Sequence, residues 1–389
     1  MCAKTLPAVK FFGVTFFSKK VTKYYATVES TIHYIDKKIK GCYNYYLIRE
    51  IYLEGRKPIM KLLFIFTGGT IGSTKRNDVI STDENKSYMI IDAYRSKYGI
   101  DFDYDAIEPY VELSENNTGR HIRMLVNAVT QNQNKGYDGI IVTHGSDTLQ
   151  YSAAAIGYCI GLNSLPICLV AANLPIEDSR SNALDNLHGA IKFIEGACGR
   201  GAFVIYRNAS SDTVKAHRAT RLIGAKAYSD DSESVGGIAF GYFDKNYNFI
   251  KNPDYTERAD EAEPLDATLL GDISREIVVI SPYPGMIYPQ ISDGVKYVVL
   301  NTYHSGTLNT KAENTIDFLN KARERGIDVY ASGTSCGARY LSADCFDLLN
   351  IIPINSISPV AAYIKLWLIT SMGEDSRTLM SASIGGDIA

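Results

Sequence analysis

The sequence predicts an α/β protein, with a larger N-terminal α/β domain built on a mostly parallel sheet and a smaller C-terminal α/β domain. Three observations carry this expectation. Short, almost uninterrupted apolar runs recur along the chain, which suits strands buried on both faces of a parallel sheet. Segments with helical spacing of apolar residues alternate with them, as crossover connections require. A polar stretch over about 244–272, rich in Asp, Asn, Glu and Pro, separates two groups of runs and reads as a linker.

The first run is Lys61-Leu-Leu-Phe-Ile-Phe66, which stops at Gly68-Gly69. Comparable runs follow at Gly139–Thr143, Pro166–Ala171, Ala202–Tyr206, Glu276–Ser281 and Tyr297–Asn301. Helical spacing covers 119–133, 147–161, 182–195, 310–325 and 358–372. The expected organisation is therefore an extension over 1–59, a domain over 60–243, a linker over 244–272 and a second domain over 273–389. No repeat at a solenoid period interrupts this order.

Composition excludes several classes. The 389 residues are 46% hydrophobic and 11% aromatic, which rules out a disordered or low-complexity chain. No stretch reaches the roughly 18 apolar residues of a membrane-spanning helix. With 40 basic and 43 acidic side chains, neither nucleic-acid nor membrane electrostatics dominates, and neither partner is expected. That balance is uneven along the chain. Residues 1–59 carry eleven Lys and Arg against four acids, net +7, which leaves the remainder at net −10. The seven cysteines form no Cys-x-x-Cys pair, so no zinc or redox motif is expected. Cys159 and Cys168 lie in apolar runs and read as core residues, and an odd count without a secretory leader fits reduced thiols in the cytoplasm.

Three constellations could carry chemistry. Thr67-Gly-Gly-Thr-Ile-Gly72 follows the first strand; its glycines allow a sharp turn and close approach to a ligand. The spacing is not that of a dinucleotide loop, and no Gly-Lys-Ser/Thr closes it as a phosphate loop. Two hydroxyls, Thr67 and Thr70, distinguish it from a plain strand–helix connection. Thr143-His-Gly-Ser-Asp-Thr148 repeats the arrangement after another strand and adds a carboxylate. Ser146 and Asp147 could equally be helix N-caps, and His144 a structural hydrogen-bonding group. Thr213-Val-Lys-Ala-His217 places a lysine near a hydroxyl, where a buried lysine can act as a base. Without the other two constellations it reads as a solvated loop lysine.

In this order, T-G-G-T-I-G, H-G-S-D-T and T-V-K-A-H resemble the motifs of bacterial-type L-asparaginases, most of all the cytoplasmic type I group. The resemblance spans 61–389 and takes in Arg180–Leu187 and Tyr283-Pro-Gly-Met286. It implies a two-domain α/β fold, sites completed near the subunit interface of a homodimer or homotetramer, and hydrolysis of L-asparagine through a threonine acyl-enzyme, with L-glutamine as the alternative substrate. No cofactor or metal is implied. By position, Thr70 is the nucleophile, Ser146 the second hydroxyl and Lys215 the lysine that polarises it. Asp147 holds the substrate α-ammonium, with Glu115 facing the same group. Ser114 binds the α-carboxylate, and the Ala172 carbonyl receives the leaving amide. This set supplies a nucleophile, a proton acceptor and oxyanion donors without a metal.

The chain departs from the family pattern in places. Ser146 stands where the family has threonine. The loop tyrosine that follows the nucleophile has no counterpart; Val79 and its neighbours fall there, and Tyr88 is the nearest tyrosine. Glu115 replaces a Gln or Ser, as it does in the related D subunit of archaeal Glu-tRNA(Gln) amidotransferase, which carries its own N-terminal domain and feeds ammonia to a partner. That relative is the second reading, and a non-catalytic amino-acid sensor on the same fold is the third. Residues 1–59, with seven tyrosines and no targeting pattern, precede Met60 and end near Glu54-Gly-Arg-Lys57, whose codons can be purine-rich. Met60 is the expected native start, with the stretch before it disordered or non-native.

Overall fold

The computed structural model describes residues 59–69, 73–76, 79–82, 88–100, 102–226, 228–258, 261–334 and 340–388, the strands at 73–76 and 79–82 by their backbone alone. Expectations for 1–58, Thr70, Cys2, Cys42 and Cys336 fall outside these residues.

Strand β1 (Lys61–Phe66) opens the fold, followed by an antiparallel hairpin of β2 (Ser73–Arg76) and β3 (Val79–Thr82). Helix α1 (Met89–Tyr98) leads to β4 (Asp103–Ile107), and α2 (Gly119–Thr130) leads to β5 (Gly139–Thr143). Next come α3 (Leu149–Ile160), β6 (Pro166–Val170), α4 (Ala183–Glu195) and β7 (Gly201–Arg207). Short strands follow: β8 (Val214–Arg218), β9 (Leu222–Ala225), β10 (Ser232–Ser234), β11 (Gly241–Phe243) and β12 (Phe249–Lys251). The remainder comprises β13 (Ile277–Ile280), β14 (Tyr297–Asn301), α5 (Glu313–Glu324), β15 (Asp328–Thr334), α6 (Leu341–Asp344), β16 (Ile351–Asn355), α7 (Pro359–Met372) and α8 (Ser376–Ser381).

Eight strands form one sheet in the order β12-β11-β8-β7-β6-β5-β1-β4. Pairing is parallel from β4 to β7 and antiparallel beyond it. The apolar runs explain this arrangement. Leu63 and Ile65 of β1 enter one core with α2, α3 and α7, while Leu62, Phe64 and Phe66 enter a second with α1 and α4. A strand buried on both sides cannot alternate polar and apolar residues, which is why it reads as continuous.

The second sheet, β13-β14-β15-β16, is wholly parallel. One of its faces, through Val299, Tyr330 and Ile354, joins the same core as α2, α3 and α7. The other packs on α5 through Phe318, Leu319 and Ala322. Within 244–272, β12 completes the large sheet, and Leu265, Ala267 and Leu270 are buried. The two sheets therefore share one core. Helix α7 starts cleanly: the Ser358 hydroxyl accepts from the Ala361 amide and Pro359 opens the first turn.

Buried imidazoles make this core acid-sensitive. Burial holds His188 down to about 4 and His217 to about 3. Unfolded histidines take up protons near pH 6.5, so below that value the unfolded state binds more protons and stability falls with pH. The loss runs from about pH 6.5 to about pH 4, where folded His188 titrates as well. Urea midpoints measured at successive pH values are expected to drop across that window; a flat midpoint there contradicts the assignment.

Candidate active site

The chain runs from β1 outward to β4, then returns to β5 on the opposite side of β1. This reversal makes the carboxyl ends of β1 and β5 the topological switch point, where open α/β sheets bind ligands. The two glycine turns found in the sequence flank this crevice.

Close backbone packing draws three strand ends together. The Thr67 hydroxyl donates to the Thr143 carbonyl at 2.8 Å, tying the end of β1 to the end of β5. Gly68 bridges to Glu112 in the segment after β4. Gly69 has φ of +79°, and a Cβ on it would lie 2.5 Å from the Gly145 amide nitrogen, so only glycine lets these turns meet. At Gly145 a Cβ would stand 2.4 Å from Ser114 Oγ. Side-chain-free backbone on both turns thus brings Ser114 against the turn that carries Ser146 and Asp147.

The expected site residues divide into three groups. Ser114, Glu115, Ser146 and Asp147 come together at the switch point. Ser114 opens a 3-10 turn (Ser114–Asn116), is buried, and its hydroxyl donates to Asp147 Oδ2 at 3.5 Å. Glu115 and Asp147 are exposed and Ser146 is half-buried, so the carboxylates face solvent beside a buried hydroxyl. Ala172 is fully buried just beyond β6, where the preceding Ala171 carbonyl accepts from Asn186 Nδ2 at 2.8 Å. Lys215 lies on β8, paired with Tyr206 of β7 and Tyr242 of β11, and two strands separate it from β5. Among the described residues no hydrogen bond joins Lys215 to Ser146. Thr70 lies outside them.

The structure adds residues that the motifs alone did not single out. Ser146 and Asp147 are not the cap of α3; Thr148 occupies the N-cap position and makes no side-chain cap bond. Its hydroxyl instead donates to the Ser114 carbonyl at 2.7 Å. Asn117 Nδ2 reaches Thr148 Oγ1 at 3.3 Å and His144 Nε2 at 3.4 Å. Burial lowers the His144 pKa, keeping the ring neutral, and its Nδ1 pairs with the Gly145 carbonyl at 2.8 Å. His144 is therefore the structural hydrogen-bonding group that the sequence allowed. Thr148 closes the second turn's motif and Asn117 follows Ser114 by three residues, which is the signal the sequence carries for them. Tyr110, whose pKa burial raises, lies near Thr67. Among the described residues no group of three His, Cys, Asp or Glu is placed to hold a metal, and no helix is long and apolar enough to cross a membrane.

The arrangement of a large mostly parallel sheet and a second parallel sheet is that of the asparaginase fold. Residues 61–250 match the family model for the asparaginase N-terminal domain, so this segment is of the asparaginase type. Curated relatives include the D subunit of Glutamyl-tRNA(Gln) amidotransferase from Methanococcus maripaludis, 25% identical over 88% of this chain and 84% of the relative. The protein of the same name from Pyrobaculum aerophilum is 27% identical over 79% and 74%. Among solved structures, the thermostable L-asparaginase from Thermococcus kodakarensis superposes with a TM-score of 0.67 at 22% identity, covering 85% of this chain and 99% of that one. L-asparaginase I from Vibrio cholerae gives 0.66 at 18% identity, with the same coverage. These structures share the fold.

Proposed function

We propose that the chain hydrolyses the side-chain amide of a small α-amino acid and releases ammonia. The observation that carries the reading is the Ser114–Asp147 pair, a buried hydroxyl 3.5 Å from an exposed carboxylate at the switch point. A zwitterionic amino acid needs a carboxylate for its ammonium and a donor for its own carboxylate, and this pair offers both. Thr70 attacks the amide carbon, the amide nitrogen leaves as ammonia, and water then cleaves the resulting ester to free the acid. Asp147 and Glu115 hold the α-ammonium and Ser114 the α-carboxylate. Ser146, polarised by Lys215, serves as the second hydroxyl, and the Ala172 carbonyl accepts from the leaving amide. The Lys215 role requires its ammonium to approach Ser146 from β8, along the face that Tyr206 shares with α3.

Two settings fit this chemistry. The curated relatives support the amidotransferase setting, in which the ammonia passes to a partner, more strongly than the other. The type I motifs favour free-standing hydrolysis of L-asparagine. Ammonia release from L-Asn, L-Gln and D-Asn by the purified chain, alone and with a partner protein and charged tRNA, separates them. Turnover that appears only with partner and tRNA establishes the amidotransferase setting, and brisk turnover of L-Asn alone establishes the free enzyme. Binding without turnover in every mixture rejects the amidase. One methylene separates Asn from Gln, which is worth about 1–3 kcal/mol in a small pocket, so a clear but finite preference is expected.

A further inference from the structure

Thr148 is unusual in how it uses its hydroxyl. It stands at the N-cap of α3, where a threonine ordinarily accepts from an amide of its own helix, yet it makes no such bond. The hydroxyl donates across to the Ser114 carbonyl, which also accepts from the Asn117 amide at 3.1 Å. The bond directions form a single consistent chain. A carbonyl only accepts, so His144 Nδ1 carries the proton given to Gly145, and the neutral ring leaves Nε2 as an acceptor. Asn117 must then present Nδ2, not Oδ1, to Nε2, and the same Nδ2 reaches Thr148 Oγ1. This orientation leaves Asn117 Oδ1 buried with no hydrogen-bond partner among the described residues. A flipped amide would set two acceptors against each other at His144.

We propose that Thr148 and Asn117 are positioning residues that hold Ser114 at its distance from Asp147 and thereby set affinity for the α-ammonium and α-carboxylate of the amino acid. The proposal rests on the amidase reading for its substrate, and the network itself belongs to the described structure. In the proposed binding mode the network ends on Ser114, which meets the α-carboxylate, so its loss weakens recognition of the amino-acid end and leaves the chemical step in place.

Thr148→Val removes the hydroxyl at nearly constant shape. It is expected to raise KM about tenfold, the effect of losing one buried neutral hydrogen bond, while kcat changes by less than about threefold. The Kd for L-aspartate, measured by calorimetry, is expected to rise by the same factor as KM, and Thr148→Ser to restore both. A purely structural cap would lower thermal stability and the active fraction with KM and Kd unchanged, and that result overturns the proposal. Asn117→Ala carries the same comparison should the valine variant not fold. A wild-type chain that binds L-aspartate yet releases no ammonia from any amide rejects the amidase reading alone; the Kd ratio then still decides. A wild-type chain that binds no amino acid overturns both.

Discussion

Thr70→Ala is expected to lower ammonia release at saturating substrate by at least about 10⁴-fold, the scale on which nucleophile removal acts in covalent hydrolases. The glycine turn is the reason for so large an effect. Gly68 and Gly69 take φ of +96° and +79° and press the end of β1 against Glu112 and Gly145. Thr70 follows this turn directly in the chain, and the turn itself stands at the reversal of strand order. Removing a methyl-bearing hydroxyl leaves the amino-acid recognition pair untouched, so L-aspartate affinity should change by less than about threefold and the melting temperature by no more than about 2 °C. Rapid-quench mass spectrometry offers a second readout: an adduct on the wild-type chain equal to the acyl group, absent from the variant. Retained turnover in the purified variant, or an adduct at another hydroxyl, removes Thr70 from the mechanism and points to Ser146.

The contrast between what the amino-acid pattern exposes and what it conceals has a physical basis. β1, β5 and β6 are readable because both of their faces are covered, so every residue from Leu62 to Phe66 is apolar. β4 is concealed because it is the sheet edge, and Asp103 and Asp105 interrupt its apolar residues. β16 carries Pro353, which an edge strand tolerates. β15 ends in Ser-Gly-Thr and loses its apolar signature there. Helix α1 has Tyr88 at its N-cap with no side-chain cap bond, so no start signal marks it.

The site follows the same logic. Turns at strand ends announce themselves through glycines and hydroxyls, and the structure gathers Ser114, Ser146 and Asp147 at one crevice. The hydrogen bond from Thr148 to Ser114 spans 34 positions, and no local pattern encodes it. Its register comes from the Gly68–Glu112 bridge, a tertiary contact. Lys215 illustrates the opposite case: its motif is recognisable, yet two strands separate its own from β5, so motif order alone says nothing about its reach.

The C-terminal segment makes the second large effect. Lys365 of α7 is completely buried, and its ammonium meets Asp387 Oδ2 at 2.7 Å and the Ala382 carbonyl at 2.6 Å. The Tyr158 hydroxyl, on α3, donates to the same Asp387 oxygen at 3.1 Å, and the Ile384 amide donates to Oδ1 at 3.0 Å. Burial lowers the Lys365 pKa while Asp387 opposes that shift. Around this pair, Thr220 and Arg221 hold the carbonyls of Gly385, Gly386 and Ile388, and Glu261 accepts from Ser383 and Gly386. The tail is thus bound on three sides, and Asp387 links the two helices that pack beneath the site, α3 and α7. Asp387→Ala strands an ammonium in a dry core, and breaking a buried pair from one side costs about 3–5 kcal/mol. At about 2–4 °C per kcal/mol for domains of this size, the melting temperature should fall by roughly 10 °C. Replacing both partners, as Lys365→Met with Asp387→Leu, removes the unpaired charge together with its desolvation cost and should recover most of that loss. The Tyr158 hydroxyl then loses an acceptor, so recovery stays incomplete. Melting temperatures of Lys365→Met, Asp387→Leu and the double variant close the cycle. Additive losses, or an Asp387→Ala variant within about 2 °C of wild type, would show that the ion pair does not hold the tail.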